Sequence, residues 1–497
     1  MDSLISNLTI LFLLLPPIVG AGLVTVLKKK RTIGIITICT ASLILVQVLL
    51  LVSKIVSEKT ITAFGNTFYV DSLSAVILLS VSVVGFVAAL YSKNYMGRQY
   101  DNGTVDDKHI VRYYQGFNVF LLTMLVVPIA NNLGIMWVTV EATTLVSVLL
   151  IMLYFKENAI EAAWKYLIIA TVGLSFALIG TVFFYYANIN ANTSEDAMNW
   201  TGMVHDAKHF DPNLVKIAFV FILVGFGTKA GLAPMHTWLP DAHSEAPTPV
   251  SAILSGVLLN CAFYGIIRFH IVSSASIGPE FSSQLLIILA VVSIGIAAAS
   301  IYFQKDMKRM LAYSSVEHMG LISLGIGFGG LFGIYGAILQ IVNHAMAKPL
   351  MFFASGSVNQ KYEAKAMSKI KGIIRVMPVT GILFLIGGLA LVGMPPFNVF
   401  LSEFMILSSG FKSGQFIATS LVILFLVITF AVFLRHLLKM IFGNPLSEMK
   451  KGEMGKLAII PMAILCSLVV IFGIFIPAQL QTLIHNASTI ISGGGFA

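Results

Sequence analysis

Residues 4–27 contain no charged side chain, and apolar runs of similar length recur through the chain. A helix needs about 20 apolar residues to cross the hydrocarbon of a bilayer. Inside lipid, each backbone polar group must be satisfied by the segment itself or by its protein neighbours. The runs that meet these conditions are 4–27, 33–52, 71–93, 112–130, 133–155, 159–187 and 214–239, followed by 246–269, 281–303, 307–328, 330–358, 376–410, 416–440 and 457–484. They are numbered here as spans 1 to 14, and the sequence predicts an all-α integral membrane protein of about fourteen transmembrane helices. The stretch 376–410 is long for one span. It is kept as one because MPPF at 394–397 would break a helix in its middle.

Composition agrees. Of 497 residues, 57% are hydrophobic and 11% charged, whereas a soluble domain carries about a quarter charged residues. No signal-peptide cleavage pattern follows the first apolar run, so that run is expected to be a retained span. The three cysteines, Cys39, Cys261 and Cys466, are isolated, and no CxxC occurs. The chain is therefore expected to build no metal or iron–sulfur site from its own thiols. No GxGxxG or Walker loop follows a strand pattern, so no cofactor is expected in this chain. Any energy source would be an ion gradient or a partner.

The net charge of +9 would suggest nucleic acid in a soluble protein, but here its placement is the informative part. If the basic loop at 28–31 is cytoplasmic, alternation places 22 Lys and Arg on that side. These are 28–31, Lys93, Arg98, Lys108, Arg112, Lys156, Lys305, Lys308, Arg309, Lys361, Lys365, Lys369, Lys371, Arg375, Arg435, Lys439, Lys450, Lys451 and Lys456. Five face the other side: Lys54, Lys59, Lys208, Lys216 and Lys412. This bias predicts both termini outside the cytoplasm and accounts for the basic charge without nucleic acid. Four basic residues remain. Arg268 lies near an outer helix end and is expected to snorkel. Lys165, Lys229 and Lys348 fall within spans, as do Glu141, Glu317 and Glu403. A charge at that depth costs several kcal/mol, so each is a functional candidate.

The chain also repeats itself. VEATTLVS from Val140 is matched by VEHMGLIS from Val316, which pairs Glu141 with Glu317 at an offset of 176. AAWKYLIIATVG from Ala162 is matched by AMAKPLMFFASG from Ala345, pairing Lys165 with Lys348 at an offset of 183. GLAPMHTWL from Gly231 is matched by GMPPFNVFL from Gly393, pairing Pro234 with Pro396 at an offset of 162. Spans 5, 6 and 7 thus recur as 10, 11 and 12. The shift of five spans inverts the second copy, as in many ion-coupled transporters.

Proline removes a backbone hydrogen bond and clashes with the carbonyl four residues back. Pro234 lies near Lys229, Pro349 beside His344 and Lys348, and Pro395 and Pro396 before Glu403. Three helix breaks next to ionisable groups point to wet pockets at mid-membrane; the alternative is three kinks in packed helices. Burial disfavours the charged form of an acid or a base alike, so a buried Glu or Lys can exchange a proton near neutral pH, where His already titrates. A Glu/Lys/His row therefore suits a proton relay. Against this, His318 and His344 could be hydrogen-bonded core histidines, and Lys229 could form a static ion pair with Glu141. Pairing of Glu141 with Lys229 is expected on either reading, because it lowers the cost of burying both.

GTKAGLAPMHTWLPDAHSEAPTPVSAILSG (227–256), KRMLAYSSVEHMG (308–320) and NHAMAKPLMFFASG (343–356) resemble the antiporter-like subunits of respiratory complex I, Mrp-type cation/proton antiporters and group-4 membrane-bound nickel–iron hydrogenases. The likeness spans roughly residues 70–440. With LLNCAFYGIIR from Leu258, the wording is most similar to the hydrogenase-4 component F branch. The resemblance implies fourteen spans with inverted-topology five-helix repeats at spans 4–8 and 9–13, and broken helices at spans 7 and 12. The corresponding segments are 1–111 (spans 1–3), 112–272, 281–441 and 456–497 (span 14). It implies a proton relay through Glu141, Lys229, His318, His344, Lys348 and Glu403, with Lys165, His236, Asn260 and Glu317 as further members. Many relatives place Lys or His on span 8, where this chain has Asn260. Asparagine cannot relay by titration and would need water. The long lateral helix of the largest complex I member is expected to be absent.

The implied function is a non-catalytic, ion-translocating subunit of an oxidoreductase complex of the hydrogenase or NADH dehydrogenase type, in a prokaryotic inner membrane. The ion would be the proton, with Na⁺ as an alternative. Partners would be other membrane subunits and a peripheral hydrogenase-like arm holding the nickel–iron and iron–sulfur centres. The competing readings are an Mrp-type cation/proton antiporter subunit, a complex I-like proton-pumping subunit or, from another class, a structural membrane anchor.

Overall fold

The structure is a computed structural model that describes residues 2–27, 30–191, 197–445 and 449–493. Twelve helices among the described residues are long and apolar enough to cross a membrane. They begin with Leu4–Leu27 and Thr32–Glu58, and they include Ser72–Asp101, Leu133–Ile151, Glu157–Ala191, Thr248–Ile277 and Gly330–Tyr362. Two predicted spans are not among the twelve. Span 10, Met307–Phe328, carries Lys308, Arg309, Glu317 and His318. Span 12 is divided into Pro378–Leu391 and Asn398–Lys412. The basic group at 28–31 lies outside the described residues, apart from the backbone of Lys30 and Arg31.

Helix starts follow local capping rules. Asp71 accepts the Ser74 amide at 2.9 Å, Asn132 the Ile135 amide at 3.1 Å and Asp306 the Arg309 amide at 2.9 Å. Each cap satisfies an amide that the first turn leaves orphaned. Asp106 and His109 form a reciprocal box at the start of Asp107–Val126.

Spans 7 and 12 are interrupted as expected. Pro212–Ala230 ends at Gly231, whose φ is 78°, and the span resumes at Leu239–Glu245. Pro378–Leu391 is followed by Gly393 at φ 70° before Asn398–Lys412. A left-handed glycine followed by proline both stops the helix and prevents its immediate restart. Pro349 has no such glycine beside it. It sits inside the uninterrupted 33-residue helix Gly330–Tyr362, so the expected third break does not occur. One missing hydrogen bond is tolerated when packing holds both flanks.

Span 8 supplies an irregularity that the prolines did not signal. Between Thr248–Ile253 and Leu259–Ile277 lies a π-helical segment, Leu254–Leu258. There Gly256 packs so closely on Pro349 that a Cβ would lie 2.8 Å from its Cγ. Span 14 is shorter than predicted. Lys456–Ile474 ends before Pro477, and a separate helix, Ala478–Ile491, buries Leu480, Leu483, Ile484, Ala487 and Ile491 against Ser72–Asp101 and Gly330–Tyr362. A small antiparallel hairpin, Ile61–Ala63 with Phe68–Val70, joins spans 2 and 3.

Candidate ion-translocation site

The ammonium of Lys229, fully buried at the end of the first half of span 7, donates to Thr144 Oγ1 of span 5 at 2.8 Å and to the Tyr166 hydroxyl of span 6. It also sits 4.7 Å from the Tyr166 ring centroid. Tyr166 is held in turn by Ser147 at 2.8 Å. Glu141 is half-buried; one carboxylate oxygen accepts from Thr171 Oγ1 at 3.0 Å and the other has no protein partner. Glu141 and Lys229 make no direct ion pair. Thr144, one turn beyond Glu141 on the same helix, takes the ammonium, and the two charges share span 5 rather than a bond.

The break in span 7 carries His236, 7% exposed, with Nδ1 unpartnered and its ring 6.0 Å from that of Tyr313. Across the π segment, Asn260 donates to Gly256 O at 2.9 Å and towards Ile341 O of span 11 at 3.4 Å, while its Oδ1 has no protein partner. Ser255 of span 8 and Ser315 of span 10 meet at 2.8 Å. Lys348 is fully buried and donates to Leu311 O at 2.8 Å and to Ser314 Oγ.

Beyond Lys348 the side chains form a chain of polar contacts into span 12. The His318 and His344 rings stand 5.3 Å apart, and neither nitrogen of His344 has a protein partner. His318 Nδ1 meets Gln340 Nε2 at 2.6 Å. Gln340 accepts from Ser402, and Asn343 donates to Ser402 Oγ at 2.9 Å and to Asn398 O at 2.8 Å. Next to Ser402 on that helix, the Glu403 carboxylate packs against Gly393 so tightly that a Cβ there would overlap it. Glu317 is buried beside Thr429 of span 13.

Three basic residues are placed differently from expectation. The Lys165 side chain is 49% exposed and pairs with Glu161 at 2.6 Å and Asp241 at 3.4 Å, so it does not join the buried row. Lys308, counted among the loop charges, is buried and donates to Ala246 O at 2.8 Å. Arg268 does not snorkel. Its guanidinium grips Asp71 in a bidentate pair at 2.7 and 2.8 Å, bonds Tyr264 at 2.8 Å and lies 4.1 Å from the Trp200 ring centroid. Asp71 opens the predicted run of span 3, where a carboxylate reads as a helix cap rather than as a buried partner.

Sequence reasoning missed the neutral polar residues Thr144, Tyr166, Gln340, Asn343, Asn398 and Ser402, together with His243. The last is fully buried, with both ring nitrogens unpartnered and the ring stacked on Phe352 at 5.3 Å. A signal existed for some of them. Gln340, His344 and Lys348 follow one another at i, i+4 and i+8, a polar stripe on one face of an apolar helix. Asn398 and Ser402 repeat the pattern on span 12.

Comparison with known proteins agrees with this architecture. The family described as NADH:quinone oxidoreductase/Mrp antiporter, TM, matches residues 130–429, and that of complex I chain 5 N-terminus matches residues 62–114. A hydrogenase-4 component F homolog of Methylacidiphilum infernorum is 36% identical over 430 residues, covering 86% of this chain and 89% of the relative. A chain of the membrane-bound sulfane sulfur reductase, an archaeal respiratory membrane complex, superposes with a TM-score of 0.86 at 26% identity, covering 98% of both chains. A chain of the Mrp complex of Dietzia sp. DQ12-45-1b has the same fold, with a TM-score of 0.87 at 18% identity over 99% of this chain and 98% of that one. The chain therefore belongs to the NADH:quinone oxidoreductase/Mrp antiporter transmembrane family and is an antiporter-like, multi-pass membrane subunit.

Proposed function

We propose that the chain moves protons across the membrane as a subunit of a hydrogenase-like respiratory complex. Partner subunits would hold the nickel–iron and iron–sulfur centres, and this chain would couple their redox chemistry to ion movement. The observation that carries the reading is the buried row itself. Glu141, Lys229, His318, His344, Lys348 and Glu403 lie on spans 5, 7, 10, 11 and 12 among hydroxyl and amide side chains, such as Thr144 beside Lys229 and Gln340 beside His318, that can donate and accept in turn. Buried polar atoms are normally satisfied by protein or water. The open acceptors on Glu141, Asn260 and Asn398 therefore suit bridging water, which Asn260 needs in order to take part. An anchor would not need ionisable groups on both sides of the molecule's centre.

The two halves are read as an inverted repeat. Gly231 and Gly393, which carry the left-handed conformations at the two breaks, are separated by the same 162 residues as Pro234 and Pro396. Both termini are assigned to the non-cytoplasmic side on the bias of Lys and Arg.

The test is to reconstitute the purified complex in liposomes, drive electron flow and follow internal pH. Proton movement that stops with Glu403→Gln while electron flow and subunit composition persist is the expected result. Unchanged proton movement would remove the relay. An Mrp-type antiporter is the second reading, supported by the shared fold; it requires Na⁺-dependent proton movement without electron flow.

A further inference from the structure

We propose that the cavity at the ends of spans 9, 11 and 13 binds the headgroup of an anionic phospholipid. Glu280–Phe303, Gly330–Tyr362 and Phe416–Ile441 run in the same direction, so their C-terminal ends share one face. The loops after spans 9 and 11 are joined there. The Met367 amide donates to Lys305 O at 2.9 Å and the Met307 amide to Lys365 O at 3.3 Å. Beside this link lies a cavity of about 1010 Å³, whose wall carries Lys305, Lys371, Lys439 and His436 and, among the described residues, no acidic side chain.

The three lysines differ from their neighbours on this face. Lys165 and Arg309 are matched to Asp241, and Lys365 to Glu245. Lys305, Lys371 and Lys439 take part in no ion pair among the described residues. Three unneutralised ammonium groups around one cavity form a site for a phosphate, and each contributes to holding an anionic headgroup at a membrane surface.

The apolar surroundings select a lipid over a free anion. Leu438, Met440 and Phe442 form part of the cavity wall. Tyr302 and Phe303, at the end of span 9, are 56% and 74% exposed, and Leu438 and Phe442 are exposed as well. This strip runs from the cavity onto the outward faces of spans 9 and 13, where acyl chains would lie. Tyr at a helix end is typical of the membrane interface. The site is independent of the ion relay, which lies on spans 5, 7, 10, 11 and 12.

The experiment uses the chain purified from membranes with its accompanying subunits, delipidated, and titrated with phosphatidylglycerol, phosphatidylethanolamine and inorganic phosphate, with bound lipid counted by native mass spectrometry. Wild type should bind phosphatidylglycerol in preference to phosphatidylethanolamine. The triple variant Lys305→Gln/Lys371→Gln/Lys439→Gln should bind phosphatidylglycerol about 100-fold more weakly, with phosphatidylethanolamine unchanged. The corresponding triple arginine variant should retain binding, and Lys108→Gln/Lys361→Gln/Lys450→Gln should bind as wild type. If the triple glutamine variant fails to assemble, Lys371→Gln alone should still weaken binding about fivefold. Equal phosphatidylglycerol binding by wild type and an assembled glutamine variant overturns the proposal. So does inorganic phosphate binding as tightly as the lipid, which would make this a free-anion site. Cross-linking of the three lysines to another polypeptide, with no lipid bound, would make it a protein interface and overturn it equally.

Discussion

Lys229→Arg separates a titrating lysine from a fixed charge. The side chain is fully buried, and its ammonium has two hydroxyl acceptors, Thr144 and Tyr166. Arginine keeps the charge and can donate to both. An ordinary arginine holds its proton far above neutral pH, and its neutral form at pH 7 is populated below about 10⁻⁵. A step that needs release of that proton should fall by orders of magnitude. Lys229→Met tests the charge itself. It removes two charge-assisted hydrogen bonds, worth roughly 3–6 kcal/mol together. It also removes the several-kcal/mol cost of burying the ammonium. These terms largely offset, and Tyr166 keeps Ser147 as partner, so assembly should survive. The assay is proton uptake by reconstituted liposomes, measured with electron flow and subunit composition. Both variants should assemble and fail to move protons. If Lys229→Arg moves protons at more than a tenth of the wild-type rate, Lys229 is a fixed electrostatic element and the titration argument is wrong.

Gln340→Leu removes the bridge between His318 and Ser402; proton movement should fall at least about tenfold with assembly intact, and wild-type transport would show that the bridge is not used. Gly393→Ala places a side chain at φ 70° and into the Glu403 carboxylate, so transport should be lost, and the displaced Glu403 should be visible by structure determination. Asp71→Asn leaves the buried Arg268 without its counter-charge. It should cost about 3–5 kcal/mol, seen as a clear drop in unfolding temperature, and an unchanged temperature would contradict the pairing. Lys165→Gln breaks only exposed ion pairs; stability should change by less than about 1 kcal/mol and transport should stay near wild type.

How much of the site was legible depended on whether the signal was local. A charge inside an apolar run is conspicuous wherever it occurs, and this marked Glu141, Lys229, Glu317, Lys348 and Glu403. Neutral residues give no such contrast, since Ser, Thr, Asn and Gln are common in packed membrane helices. Their role becomes visible only when the facing helix is known. Lys165 was misplaced for a related reason: its position along the chain suggested burial, but the helix presents it outward to Glu161 and Asp241. Pro349 shows the limit of a single-residue rule, because proline opens a helix fully only where glycine lets the chain turn aside.

The sequence by itself determined that the chain spans a membrane, where most of its helices run, and where spans 7 and 12 break. Those outcomes depend on hydropathy over about twenty residues, on caps and on Gly–Pro stops, all of which act locally. Only the tertiary structure decided which buried groups meet. Asp71 and Arg268 are 197 residues apart, Lys229 and Thr144 are 85 apart, and Gln340 and Ser402 are 62 apart. Such contacts depend on the rotation of each helix about its axis and on the neighbour it packs against. Many pairings satisfy the same hydropathy pattern, and close packing of whole helix faces selects one of them.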